Sequence, residues 1–285
     1  MTKSTRSQLG LFVFGAVSLL VGWRPLVETF SLAVHSDAYT HILLILPVSV
    51  FLIYLERRLL TEQALPSVSV GSIFLSVSVL ITLCTLFSSN SVDAGTELSI
   101  TMTGLVLWWI GAFVLWFGLR AAQAAAFPLL FLFGLIPLPP AVLDRIVVFL
   151  QVGSAWSAHA LFWVCGIPVN QTGIFLTIPG LTIQVAQECS SIRSSSMLVV
   201  TTLVVAQMLL RSPWRKMLLI AAAIPLSIAK NGLRIWVIAM LGTHVDPGYL
   251  TGRLHHEGGP LFLAVALICV AALLWLLRRG EAIPA

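Results

Sequence analysis

Charge is what this sequence has least of. Only 9% of its 285 residues are Asp, Glu, Lys or Arg, while 58% are hydrophobic and the mean hydropathy is +1.00. A soluble domain carries about 25% charged residues, so an ordinary water-facing surface is excluded. The composition predicts an all-α polytopic membrane protein. The net charge of +5 does not point to nucleic acid, because the basic residues fall in short loops and at the termini, where they report orientation. Cysteine is scarce too. The four are scattered, none at a zinc-like spacing, so neither metal nor cofactor is expected. Cys84 and Cys269 lie inside apolar runs and read as packing residues, whereas Cys165 and Cys189 lie near a loop. The first apolar run has no small-residue cleavage site after it and reads as a retained span. Internal repeats, low-complexity tracts and linkers are missing, so residues 1–285 read as a single integral membrane domain.

What is present is a series of apolar runs long enough to cross a bilayer, each needing about 20 residues. Eight are expected, at 9–27, 39–55, 68–87, 101–119, 121–138, 192–210, 215–241 and 261–277. With Lys3 and Arg6 in the cytoplasm, Arg57-Arg58, Arg120, Arg211 with Arg215 and Lys216, and Arg278-Arg279 all fall on the cytoplasmic side. Both termini are then cytoplasmic. This count requires that 141–165 not cross. Asp144, Arg145, Gln151 and His159 interrupt that segment, which predicts an interfacial or re-entrant helix on the outer side. Next, 174–178 and 181–185 alternate around Pro179-Gly180 and predict a small outer-face β-hairpin leading into Cys189.

Three positions carry candidate chemistry at that outer face. Cys189 stands in Glu188-Cys189-Ser190-Ser191-Ile192-Arg193, just before a helix start. A helix N-terminus and Arg193 would both favour thiolate, although a buried inert cysteine is the common alternative. Arg234 lies inside an apolar run with Asn231 one turn away and Lys230 at i−4. An intramembrane arginine costs at least about 2.5 kcal/mol and marks function more often than snorkelling to the interface. His255 and His256 precede the last span; an imidazole titrates near neutrality and suits proton transfer. Zinc fits poorly, because two adjacent histidines do not easily bind one ion. Together the set suits acyl transfer: Cys189 attacks a carbonyl, a histidine moves the proton, and Arg234 stabilises the oxyanion. The Trp108, Trp109 and Trp116 run reads as lipid-facing or interfacial packing, and His35, Asp37, Tyr39 and His41 as a polar outer loop.

These residues carry a resemblance. Glu188-x-Cys189-Ser190-Ser191-x-Arg193-Ser194, then Asn231-x-x-Arg234-Ile235, then His255-x-x-x-Gly259-x-x-Phe262 resemble, in order and spacing, the exosortase/archaeosortase family of integral membrane transpeptidases. The resemblance is strongest over 170–265. It implies a cysteine protease/transpeptidase of the bacterial exosortase branch, in the inner membrane with its site at the outer face. The substrates implied are exported proteins with a C-terminal sorting signal, namely a Pro-Glu-Pro-like motif, a transmembrane helix and a basic tail, resolved through a thioester. It assigns Cys189 as nucleophile with Arg234 and His255 as partners, His255 being favoured over His256 by its spacing to Gly259. Glu188, Ser190, Arg193, Asn231 and His256 become supporting or substrate-binding residues. Ser191 departs from the glycine common in the family. The implied partners are membrane-anchored substrate proteins and lipid, with no nucleic acid. A transporter using Arg234 for an anion, or a non-catalytic envelope or exopolysaccharide assembly factor, are the alternatives.

Overall fold

The computed structural model describes residues 22–62, 65–88, 92–185, 192–250, 252 and 258–281. Helix dominates. In chain order the elements are α1 Trp23–His35, α2 Ile42–Leu55, α3 Arg57–Glu62, α4 Val68–Ser88, α5 Ala94–Ala124, α6 Ala126–Phe131 and α7 Pro140–Val164. Strands β1 Asn170–Thr172, β2 Phe175–Ile178 and β3 Leu181–Gln184 follow. Helices α8 Ile192–Leu209, α9 Pro213–His244 and α10 Gly259–Arg279 complete the chain. Among the described residues, seven helical segments are long and apolar enough to cross a membrane. The all-α polytopic expectation therefore holds, and the chain is a multi-pass membrane protein.

The distribution of side chains is that of a protein dissolved in lipid. Trp156, Trp163, Met217, Leu261, Ile268 and Leu276 are exposed, while Gln151, Ser154, Ser195, Ser227, Lys230, Asn231 and Arg234 are buried. In water the first set would cost about 25 cal/mol per Å² of exposed apolar surface. In hydrocarbon they are at home, and polar groups must find partners inside the bundle.

The chain divides into two compact units at Val142/Leu143. In the first, α4 and α5 pack as neighbours, with the Ser78 hydroxyl donating to the Gly104 carbonyl at 2.6 Å. Helix α5 begins earlier than the expected span at 101. Asp93 caps it, accepting from the Thr96 N–H at 2.9 Å, which lets a polar first turn read as loop be helical. That hydrogen bond holds the Asp93 carboxyl below its usual range. The helix kinks at Gly118, whose φ of 85° is open to glycine alone. A Cβ there would lie 1.7 Å from the Leu65 carbonyl oxygen, and Leu65 N–H donates to Phe117 O at 3.1 Å. So the chain from α3 into α4 is laid against the kink.

The span expected at 121–138 is not one continuous helix. Residues 126–135 make only α6 and one turn of 3-10 helix, Leu132–Leu135, interrupted by Pro128 and followed by Pro137, Pro139 and Pro140. The loop after it is held by Ser99 Oγ donating to Pro137 O at 2.6 Å and Tyr39 Oη donating to Leu138 O at 2.9 Å. Tyr39 is thus a buried tie rather than part of an open loop. Trp108, Trp109 and Trp116 are half-buried.

In the second unit, the segment expected to be interfacial or re-entrant is α7, one uninterrupted helix of 25 residues with the length and apolarity of a span. Gln151 and Ser154 face protein with Val147, Ala155, Ala158 and Phe162, His159 is half-buried, and Asp144 and Arg145 are exposed near the helix start. The expected hairpin is present, with Gly180 at φ 80° after Pro179, and β1 adds a third strand. Sequence order is sheet order, β1-β2-β3, all antiparallel. Leu176, Ile178 and Val185 belong to one core cluster with Ala155, Phe162, Ile235 and Ala239 of α7 and α9. Of the four cysteines, Cys84, Cys165 and Cys269 are exposed free thiols. Cys84 and Cys269 are therefore lipid-facing rather than packed in the core, because the apolar solvent for them is outside the bundle.

Candidate functional site

Helix α9 runs from Pro213 to His244, so Arg234 lies about 15 Å from its C-terminal end, deeper than a helix ending at 241 would put it. The buried positions Ser227, Lys230, Asn231, Arg234, Ile235 and Ile238 recur at helical spacing and form one stripe. Arg234 is 8% exposed, Lys230 5% and Asn231 1%. A stripe of this kind inside hydrocarbon must be met by polar groups from neighbours.

Two helices meet it. On α8, Ser195 receives a hydrogen bond from the Ser227 hydroxyl at 2.5 Å, and the Lys230 ammonium donates to the Ser194 hydroxyl. At the far end of the same pair, Lys216 Nζ donates to Gln207 Oε1 at 2.7 Å. Helices α8 and α9 are therefore antiparallel, and α8 begins level with residues 227–234 of α9. On α7, Ser154 Oγ accepts from Asn231 Nδ2 at 2.9 Å. Gly232 permits this approach. A Cβ there would stand 2.4 Å from the Ser157 side chain and 2.9 Å from the Ala158 nitrogen.

Helix α10 reaches the same level from its own side. Arg215 donates from Nη1 to Leu277 O at 2.9 Å and from Nη2 to Gly280 O at 2.6 Å. The Glu281 carboxylate takes the N–H groups of Arg211 and Ser212 at 2.9–3.1 Å. These bonds, that of Ser212 first, hold the Glu281 carboxyl below its usual range. From Leu277 back to Gly259 is eighteen residues, and eighteen residues beyond Arg215 is Leu233. Antiparallel helices of equal rise thus bring the start of α10 to the level of Arg234.

Arg234 therefore sits at a level where two helices begin, and helix starts carry partial positive charge. One is preceded in the chain by 186–191, the other by 253–257. Of the predicted residues, Arg193, Asn231 and Arg234 are described; Glu188, Cys189, Ser190, His255 and His256 lie outside the described residues. Arg193 is exposed on the first turn of α8. Arg234 also lines a cavity of about 190 Å³ with strand β3, Ile235, Ile238 and Leu250. A guanidinium at low dielectric beside two helix starts can stabilise a developing oxyanion or hold a carboxylate.

Sequence reading assigns no site role to Gln151, Ser154, Ser194, Ser195 or Ser227. Gln151 donates to the Val185 carbonyl at 2.8 Å and so fixes the end of the strand that leads toward 189. The signal was available: Gln151 and Ser154 share a face with Ala158 on α7, as Ser227 does with Lys230, Asn231 and Arg234 on α9.

No curated protein and no solved structure matches the chain. A family model does, described as transmembrane exosortase, over residues 31–272. That range covers most of both compact units, the buried stripe of α9 and the segments that precede α8 and α10. The chain belongs to the transmembrane exosortase family, whose role is of the membrane transpeptidase type.

Proposed function

We propose that the protein is a cysteine transpeptidase/protease that cleaves a C-terminal sorting signal on exported proteins, with Cys189 as nucleophile. The observation that carries this reading is the common level of Arg234 and the starts of α8 and α10, the two helices that follow Cys189 and His255 in sequence. A nucleophile and a base supplied by these two segments need cover only the few residues between each and its helix.

In this mechanism His255 takes the thiol proton and the Cys189 thiolate attacks the scissile carbonyl carbon. Arg234 stabilises the tetrahedral oxyanion. The C–N bond breaks, and the histidinium gives its proton to the leaving amine, which carries away the transmembrane helix and basic tail. The remaining thioester is attacked by water or by an acceptor amine, which restores the thiol. Glu188, Ser190 and Arg193 flank the nucleophile, Asn231 holds α7 against α9 through Ser154, and His256 is the second candidate base. No metal or other cofactor enters these steps.

Orientation follows from charge. Arg211, Arg215, Lys216, Arg278 and Arg279 share one end of the second unit, and Arg234 lies toward the other. The positive-inside rule puts the basic end in the cytoplasm and the site at the outer face of a bacterial inner membrane. With the first apolar run taken as an eighth crossing, both termini are cytoplasmic, and residues 1–285 act as one domain, in line with a family match that reaches into both units.

The test is a co-expressed reporter carrying a Pro-Glu-Pro motif, a transmembrane helix and an Arg-rich tail. Wild type is expected to process it, and Cys189→Ala, Arg234→Ala and His255→Ala are expected not to. Retained processing in Cys189→Ala, with the protein present in the membrane, sinks the reading.

A further inference from the structure

Strand β3 ends the sheet, and its outer edge is chemically open. In the β2–β3 hairpin, Leu181 pairs with Ile178 across the turn, Ile183 with Leu176, and Val185 N–H donates to Ile174 O at 2.9 Å. These odd-numbered residues form the hydrogen-bonded series, because bonded and non-bonded pairs alternate along an antiparallel ladder. Thr182 and Gln184 therefore turn their N–H and C=O groups away from β2. Among the described residues no strand pairs with that edge. Unpaired strand edges recruit another extended chain.

The edge borders something. Residues Leu181 to Val185 line the 190 Å³ cavity whose far wall is Arg234, Ile235, Ile238 and Leu250. The cavity is apolar with a guanidinium at its margin, as a pocket for one side chain of a bound strand would be. From Gln184 to Cys189 is five residues, at most about 17 Å of extended chain.

We propose that the β3 edge is the rail on which the substrate polypeptide docks, as an added strand paired to the main chain of Thr182 and Gln184. The proposal rests on the reading of Cys189 as nucleophile for its purpose, though not for its geometry. Residues i and i+2 of the substrate exchange N–H···O=C bonds with Thr182 and Gln184, whose spacing of about 6.8 Å matches that repeat. A neighbouring side chain of the substrate fills the cavity beside Arg234. Main-chain pairing gives affinity that is indifferent to sequence, and the cavity supplies selectivity. A lipid tail would fill the cavity but leave two main-chain donor–acceptor pairs unsatisfied, so an extended peptide is the occupant the edge selects.

The test uses the full chain in membranes with the sorting-signal reporter. A photo-crosslinking benzoylphenylalanine replaces Thr182 in a Cys189→Ala background, and the same residue replaces Gln171 on the opposite edge of the sheet as control. The expected result is an adduct from position 182 to the reporter segment just before its transmembrane helix, and none from 171. No adduct from 182, equal adducts from both positions, or an adduct to a second copy of the chain would each overturn the rail. In the Cys189 background, Gln184→Pro removes an outward N–H while leaving the β2 ladder intact; it should raise KM at least about ten-fold, and Gln171→Pro should not. The two readings separate cleanly. Cys189-dependent processing without a 182 adduct retires the rail alone, and a 182 adduct without Cys189-dependent processing retires the nucleophile alone.

Discussion

The Lys230 ammonium donates to the hydroxyl of Ser194, which ties the middle of α9 to the first turn of α8, one residue beyond Arg193 and five beyond Cys189. A buried cation so placed holds the start of α8 in register with Arg234. Without it that tie between the two helices is lost and the start of α8 is held less firmly. Lys230→Met should therefore slow reporter processing about ten-fold, or about 1.4 kcal/mol in the barrier, while the protein still accumulates. Initial rates at equal membrane abundance measure this; an unchanged rate would make the contact purely structural.

Arg234 should be intolerant even of lysine. A guanidinium presents several donors in a fixed plane, and an ammonium in the same place cannot reproduce them. Arg234→Lys and Arg234→Ala should both lose about 10²–10³ in rate, the usual cost of removing an oxyanion donor. Single-turnover processing with saturating reporter separates this from a binding defect. A lysine variant within a factor of ten of wild type would argue that only charge is used.

Gly118 should be the least replaceable residue of the first unit. Its backbone conformation costs any other residue about 1–3 kcal/mol, and a methyl there meets the Leu65 carbonyl at 1.7 Å. Gly118→Ala should fail to accumulate or should melt well below wild type in detergent. Because it lies in a unit without the buried stripe, Gly118→Ala protein that survives should still carry a Cys189-dependent activity.

The acidic limb of stability should trace to Glu281. Its carboxyl is held below the usual value by N–H donors, chiefly that of Ser212. Its contribution is then fully present above the unfolded pKa and is lost as pH falls through the lower, folded one. Thermal melts of wild type in detergent should decline as pH drops below about 4.5. Glu281→Gln should melt lower at pH 7 and show a flatter decline. Parallel curves for the two proteins would assign the acid sensitivity elsewhere.

How much of this was written in the sequence depends on which physical signal each element uses. Apolar runs of span length announced α2, α4, α8, α9 and α10, because hydrocarbon imposes a length on any helix that crosses it. The Pro179-Gly180 turn announced the hairpin through the φ it requires. What hydropathy misjudged were helices that carry polar residues. Asp144, Arg145, Gln151 and His159 made α7 look interrupted, and Asp93 to Ser99 made the start of α5 look like a loop. Composition along a line does not reveal which side of a helix faces protein. The short α6 was over-read for the opposite reason, since its apolarity concealed Pro128 and the prolines after it. Arg234 and Asn231 were visible as polar residues in an apolar run. The serines of α7 and α8 that meet this stripe at Asn231, Lys230 and Ser227 were not, because serine is unremarkable until a neighbouring helix gives it something to bind.

The most direct measurement of the central claim is capture of the acyl-enzyme. Membranes holding the full chain and the sorting-signal reporter would be quenched in acid, and the peptide containing Cys189 analysed by mass spectrometry with and without hydroxylamine. The account predicts a Cys189 peptide bearing the reporter fragment that ends at the cleavage site, in a linkage released by hydroxylamine, and its loss in Arg234→Ala. Processing that proceeds with Cys189 unmodified at every time point, and that persists in Cys189→Ala, would contradict it.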